Sequence, residues 1–119
     1  MKKTLVLGAS DNPQRYSFLA VKKLKSHGHA VVAIGRKIAR IDEIHIVTGM
    51  PHHTDIDTVT LYLNPTNQEL YYDYILSLNP KRIIFNPGSE NPELESLAKN
   101  KDIETLEACT LVMLATHRY

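Results

Sequence analysis

Lys3-Thr4-Leu5-Val6-Leu7-Gly8-Ala9-Ser10-Asp11-Asn12-Pro13-Gln14-Arg15 is the stretch on which the fold turns. Its first part, Lys3–Gly8, is a short apolar run rich in Leu and Val and closed by a glycine, the pattern of a strand buried on both faces. A small-residue turn follows. Pro13 then suits the first position of a helix, with Asn12 as its cap. Ser17, Ala20, Val21 and Leu24 recur at helical spacing on one face, and Gly28 is placed to end that helix in the left-handed conformation. Met1-Lys2-Lys3 ahead of Thr4–Ser10 also has the look of a secretory leader. The apolar run is too short for one, and polar residues Asp11 to Arg15 follow at once, so a strand is the better reading.

The same unit repeats downstream. Ala30–Gly35 is a second buried strand. Residues Arg36–Asp57 carry Ile38, Ile41, Ile44 and Ile46 at spacings that fit neither period, which predicts an irregular crossover with a short strand or helical turn. Thr58–Leu63 is a third strand. Thr66-Asn67-Gln68-Glu69 has the form of a capping box, followed by an apolar stripe of Tyr71, Tyr74, Ile75 and Leu78. Arg82–Phe85 is a fourth strand. Asn91-Pro92 opens a helix with Leu94, Leu97 and Ala98 inward. Ile103–Leu106 is a fifth strand and Thr110–His117 a closing helix. Strands alternating with helices imply an α/β, Rossmann-like three-layer αβα fold on a parallel sheet of about five strands. By analogy with such folds, the expected strand order is 3-2-1-4-5.

Composition narrows the function. The 119 residues fit one domain spanning 1–119, and 43% hydrophobic content suffices for a core without a disulfide or metal. Fourteen basic against 13 acidic residues leave a net charge of +1, which provides no electrostatic footprint for nucleic acid. One cysteine permits no internal disulfide, so a cytoplasmic setting is expected. No stretch approaches the ~20 apolar residues that would cross a membrane.

Ligands of parallel sheets bind beyond the carboxyl ends of the strands, which directs attention to the residues after each strand. In the first turn, Gly8 and Ala9 let a ligand approach the backbone, Ser10 offers a hydroxyl and Arg15 a charged donor. The helix start behind them suits a phosphate. Only the first glycine of a G-x-G-x-x-G pattern is present. After the second strand, where NAD-binding folds place Asp or Glu for the ribose, stand Gly35-Arg36-Lys37. Two cations there disfavour NAD and suit an extra phosphate, as in NADP or coenzyme A. Asn86-Pro87-Gly88 begins a shaped loop that is expected to form one wall of a groove. Cys109 follows the fifth strand, but no base is evident for it and a buried, inert role is the simpler reading. The adjacent His52-His53 lacks further metal ligands. Tyr62, Tyr71, Tyr72 and Tyr74 read as packing residues rather than a stacking platform.

Four stretches together resemble the small stand-alone CoA-binding proteins of the Rossmann class. They are Gly8–Pro13 with Arg15-Tyr16-Ser17, Asp57–Pro65, Lys81–Leu94 and Glu107–Leu114. The resemblance implies a domain similar to the nucleotide-binding first domain of the succinyl-CoA synthetase alpha subunit. It implies that Gly8, Ala9, Ser10 and Arg15, with Tyr16 beside them, handle the pyrophosphate. Gly35-Arg36-Lys37 would lie near the adenosine end, and Asn64-Pro65 and Asn86-Pro87-Gly88 would line the groove. Many relatives end the second strand in a Pro-containing turn, whereas this chain has Ile34-Gly35-Arg36. The synthetase's second domain, with its phosphorylated histidine, has no counterpart, so acyl-CoA ligase activity by this chain alone is not expected.

The leading expectation is a binding module for coenzyme A or an acyl-CoA, with no catalytic residue and no metal. Two alternatives stand beside it. One is an NADP-dependent reductase or a CoA-dependent enzyme using Cys109. The other is an interaction protein with a vestigial nucleotide groove. The expected partner is a small-molecule nucleotide cofactor, with neither nucleic acid nor membrane, and room remains for a homodimer or an enzyme partner.

Overall fold

The computed structural model describes residues 1–119. Its organising strand is β1, Thr4–Ala9, in which Leu5, Val6 and Leu7 are at most 1% exposed. An apolar run without alternation requires cover on both faces, and β1 has it. It lies between β2, Val31–Gly35, and β5, Thr58–Leu61, parallel to both. Beyond β5 lie β6, Arg82–Phe85, and β7, Glu104–Glu107. Thr4, Thr58 and Arg82 stand in one row of the register, so the next row, Leu5, Val59 and Ile83, points to the opposite face.

Each face has its own helical cover. Leu5, Leu7, Val59, Leu61, Ile83 and Phe85 pack with Tyr74 and Ile75 of α3 (Tyr72–Ser77) and with Leu94 and Ala98 of α4 (Pro92–Lys99). On the other face Val6 and Ala33 pack with Val21 and Leu24 of α1 (Tyr16–Ser26) and Leu114 of α5 (Thr110–Ala115). The result is the expected three-layer α/β arrangement. No helix is long and apolar enough to cross a membrane.

The sheet itself differs from the five-strand expectation. It has seven strands, because the irregular crossover folds into a hairpin of β3, Ala39–Ile41, and β4, Ile44–Val47. The full order is β3-β4-β2-β1-β5-β6-β7, with β3–β4 its antiparallel pair. The expected order places the strand at Thr58 outside β2. That position is instead held by β4, whose Ile46 and Val47 pair with Ala33 and Ile34. The isoleucine spacing fits neither period because a tight turn at Asp42-Glu43 interrupts it. Ile41 and Ile46 are buried at 3% and 1%, while Ile38 is 79% exposed. Lys22 of α1 pairs with Asp42 at 3.5 Å, and Lys25 with Glu43, so the turn is held to the helix by exposed ion pairs.

Helix boundaries follow local hydrogen bonding. α1 begins at Tyr16, later than Pro13, because Asn12 Oδ1 accepts from Gln14 N (3.0 Å) and Ser10 Oγ from Asn12 N (3.1 Å). These side chains build a turn where a helix would otherwise start. Its end is as expected. Gly28 has φ +85°, with Gly28 N bonded to Lys25 O and His29 N to Leu24 O, a Schellman closure. The capping box at Thr66 is not used. Asn64 caps the short helix α2, Pro65–Gln68, accepting from Asn67 N at 2.8 Å, and a 3₁₀ turn at Glu69–Tyr71 leads into α3. Asn91 caps α4 as expected, accepting from Leu94 N at 3.1 Å, but Leu97 faces outward.

Candidate functional site

The chain leaves β1 and β5 toward opposite faces of the sheet, to α1 and to α2. Such a switch point opens a crevice at the carboxyl ends. A cleft of about 620 Å³ lies there, lined by 18 residues from the ends of β1 and β2, the loops after β1, β2, β5 and β6, and the helical segments that follow β1 and β5.

Its floor depends on two glycines. Gly8 sits at a register shift between β1 and β2, with φ +94°, and a Cβ on it would come within 2.7 Å of the Tyr62 carbonyl oxygen. A Cβ on Gly35 would come closer still to the Ala9 carbonyl oxygen. The ends of β2, β1 and β5 therefore approach more closely than any side-chain-bearing residue permits. The floor is therefore close-packed backbone, with Gly8 half-buried and Gly35 buried.

Most of the expected residues meet at this cleft. Gly8, Ala9, Ser10, Arg15, Tyr16, Gly35, Arg36, Lys37, Asn64, Pro87 and Gly88 all line it. Ser10 Oγ accepts from Asn12 N, which leaves its proton free to donate outward. Arg15 is the residue before α1, no side chain caps this helix, and Arg15, Tyr16 and Ser17 line the cleft, which sets the positive end of the helix dipole at its edge. Lys37 Nζ lies 3.9 Å from Asp11 Oδ1, with both side chains exposed.

Two expected residues stand elsewhere. Pro65 is the first residue of α2 and does not line the cleft. Asn86 is 2% exposed and its amide is fully engaged. Nδ2 donates to Thr60 Oγ1 (2.7 Å) and Leu61 O (2.9 Å), while Oδ1 accepts from Thr110 N (2.9 Å). Asn86 thus ties β6 to β5 and to α5.

Ser89 lines it too, within the loop expected to form one wall, and six lining residues go beyond the sequence expectation: Ser17, Ile34, Tyr62, Leu63, Asn67 and Tyr71. The apolar pattern carries the third strand through Tyr62 and Leu63, but the strand ends at Leu61 and both residues belong to the loop. Tyr62 and Tyr71 do more than pack, since each also presents a surface to the cleft, beside the 72% exposed ring of Tyr16. Burial pushes the Tyr62 phenol well above its ordinary pKa, so it stays neutral. Cys109 precedes α5 and does not line the cleft.

Charge is the cleft's distinguishing property. Arg15, Arg36 and Lys37 line it, and none of the lining residues is Asp, Glu, His or Cys. Such a surface attracts a multiply charged anion and presents backbone N–H groups, hydroxyls and amides to it. Its ionisable lining groups are Arg15, Arg36, Lys37 and the phenols of Tyr16, Tyr62 and Tyr71.

Comparison with known proteins agrees with this chemistry. The family model described as a CoA binding domain matches residues 2–115. A crystal structure of an uncharacterized protein is similar over 100% of this chain and 98% of its own, with 50% identity and a TM-score of 0.97. A hypothetical protein from Pyrococcus horikoshii OT3 is 20% identical, with a TM-score of 0.87 over 97% of this chain and 82% of its own. A protein from Thermus thermophilus is 19% identical, with a TM-score of 0.84 over 99% and 90%. The last two share the fold. No curated protein matches the chain.

Proposed function

This chain belongs to the CoA binding domain family, and from that premise we propose that it binds coenzyme A or an acyl-CoA in the cleft as a non-catalytic module. The observation that carries the proposal is the lining itself, with three cations and no carboxylate. The residues present suit such a ligand. The close-packed backbone at Gly8 and Gly35, the Ser10 hydroxyl, Arg15 and the start of α1 form a cradle for the diphosphate. Arg36 and Lys37, beyond β2, take the phosphate on the ribose. With the diphosphate at β1, the pantetheine arm runs the other way, over the β5 and β6 loops, past Leu63, Tyr71 and Pro87. The lining contains no Asp, Glu, His or Cys, and Cys109, the nucleophile of the enzymatic alternative, lies outside it, which supports the binding reading over that alternative.

NADP shares the extra ribose phosphate and is the main competitor. Titration calorimetry with CoA, dephospho-CoA, NADP and NAD separates the two. The proposal expects CoA to bind most tightly, with dephospho-CoA and NAD much weaker. Tighter binding of NADP than of CoA would transfer the reading to a reductase, and no heat with any of the four would refute cofactor binding.

A further inference from the structure

Gln68 is fully buried at the end of α2 and does not line the cleft. Its amide nitrogen nevertheless holds two residues that do. Nε2 donates to Leu63 O at 2.8 Å and to Ser89 O at 2.8 Å. Leu63 belongs to the loop after β5 and Ser89 to the loop after β6, so one side chain spans two walls of the cleft. The orientation is forced, because both partners on that side are carbonyl oxygens and only the NH₂ end can serve them. On the other end, Oε1 accepts from Asn91 Nδ2 at 2.9 Å. Asn91 Nδ2 also donates to the Tyr72 hydroxyl at 2.8 Å, and Asn91 Oδ1 caps α4. Tyr72 in turn donates to Glu93 Oε1 at 3.0 Å. The strut is thereby braced against two helices.

We propose that Gln68 is the positioning residue for the pantetheine half of the site: it sets the separation of the 63–67 and 87–89 walls without touching the ligand. The proposal rests on the CoA reading for the ligand, but the strut itself does not. A fully satisfied buried amide is rigid, whereas a half-satisfied one is costly and loosens what it joins. Two walls held at a fixed separation need no ordering when a flexible arm enters between them, and pre-organisation of that kind raises affinity. Arg36 and Lys37, assigned above to the ribose phosphate, follow β2 on the far side of β1 from the β5 and β6 loops, so affinity for that phosphate depends least on the strut.

The test uses Q68E and Q68M beside the wild type. Q68E keeps the volume and sets a carboxylate against two carbonyls, and Q68M removes all three hydrogen bonds. Amide hydrogen exchange on the ligand-free proteins reads the strut alone. Faster exchange confined to residues 62–68 and 86–91 is expected, and an unchanged pattern in both variants overturns it. Calorimetry then compares CoA with adenosine 3′,5′-bisphosphate, which lacks the arm. CoA affinity is expected to fall about tenfold, the loss that follows from ordering a loop or two on binding. The bisphosphate should stay within about twofold of wild type. Equal CoA affinity in variant and wild type, or a parallel loss for both ligands, overturns the positioning role. Wild type that binds neither ligand refutes the CoA reading, while the exchange result still decides the strut. If Q68E does not fold, the uncharged Q68M carries the comparison.

Discussion

The close approach of β1, β2 and β5 can be dissected with three glycine-to-alanine substitutions, because each glycine isolates a different cost. Gly88 has φ +92° and open space where a Cβ would stand, so Gly88→Ala meets only the left-handed backbone penalty, about 1–2 kcal/mol. Gly35 lies outside the positive-φ region, but a Cβ on it would run into the Ala9 carbonyl oxygen. Forcing backbone from backbone there costs about 1–3 kcal/mol or more. Gly8 combines both, with φ +94° and the Tyr62 carbonyl oxygen 2.7 Å from the Cβ position, so Gly8→Ala should cost about 2–5 kcal/mol. At roughly 4 °C per kcal/mol for a chain of this size, the Tm of Gly8→Ala falls by about 8–20 °C. Urea and thermal unfolding of the three variants measure the order. The expected order has Gly8→Ala worst and Gly88→Ala mildest. If Gly8→Ala is no worse than Gly88→Ala, the ends of β1 and β5 spread freely, and the inference of a rigid backbone floor is wrong.

Three further outcomes can be checked. Replacing Arg36 and Lys37 together by Ala should weaken CoA about tenfold more than dephospho-CoA in calorimetry at fixed salt, since exposed charge-assisted contacts to one phosphate are removed. Asn86→Ala strips three buried hydrogen bonds, Thr110 N among those left unpaired, and should lower unfolding free energy by about 2–4 kcal/mol with no direct loss of a ligand contact. His29 has its pKa held below 6.5, first by burial and then by the N-terminus, Lys2 and other nearby cations. The unfolded chain therefore takes up this proton first. Stability is intact above pH 6.5 and declines as pH falls through the lowered native value. The urea midpoint should drop between pH 7.5 and 5.5 more in wild type than in His29→Asn; equal drops would show that His29 does not carry the effect.

What the sequence makes legible is what neighbours along the chain decide. Strand β6 lies at Arg82–Phe85 as expected, because four apolar or aliphatic-stemmed residues between turns admit little else. Gly28 and Asn91 act as expected because Schellman closure and N-capping need only residues within one helical turn. The errors arise where two local options compete. Asn12 and Ser10 can each bond forward into a turn or cap a helix, and Asn64 and Thr66 are both competent caps two residues apart. The hairpin is hidden for a different reason. Its strands are short, and what settles β4 beside β2 is burial of Ile41 and Ile46 against Val21 and Leu24, residues far away along the chain. The cleft is legible because the rule that ligands sit beyond strand ends needs only the strand ends. An apolar pattern that runs two residues past the true end of β5 conceals Tyr62 and Leu63. Nothing local distinguishes Asn86, which looks like a loop residue, from the buried tie that it is.

The cleft's charge has a local origin. The position after β2 that would carry an acidic ribose partner carries Gly35-Arg36-Lys37, and that one replacement adds two cations while removing the carboxylate nearest the ligand. Asp11 stands outside the lining and meets Lys37 at 3.9 Å, with side chains 42% and 77% exposed. An exposed pair of that kind contributes about 0–1 kcal/mol. An arriving phosphate, with more charge and several acceptor oxygens, competes for Lys37 at little cost. Other polar lining residues, such as Ser10, Asn64 and Asn67, carry no net charge and offer hydroxyl and amide donors. A surface built this way matches a polyphosphate in charge, in line with the family model described as a CoA binding domain.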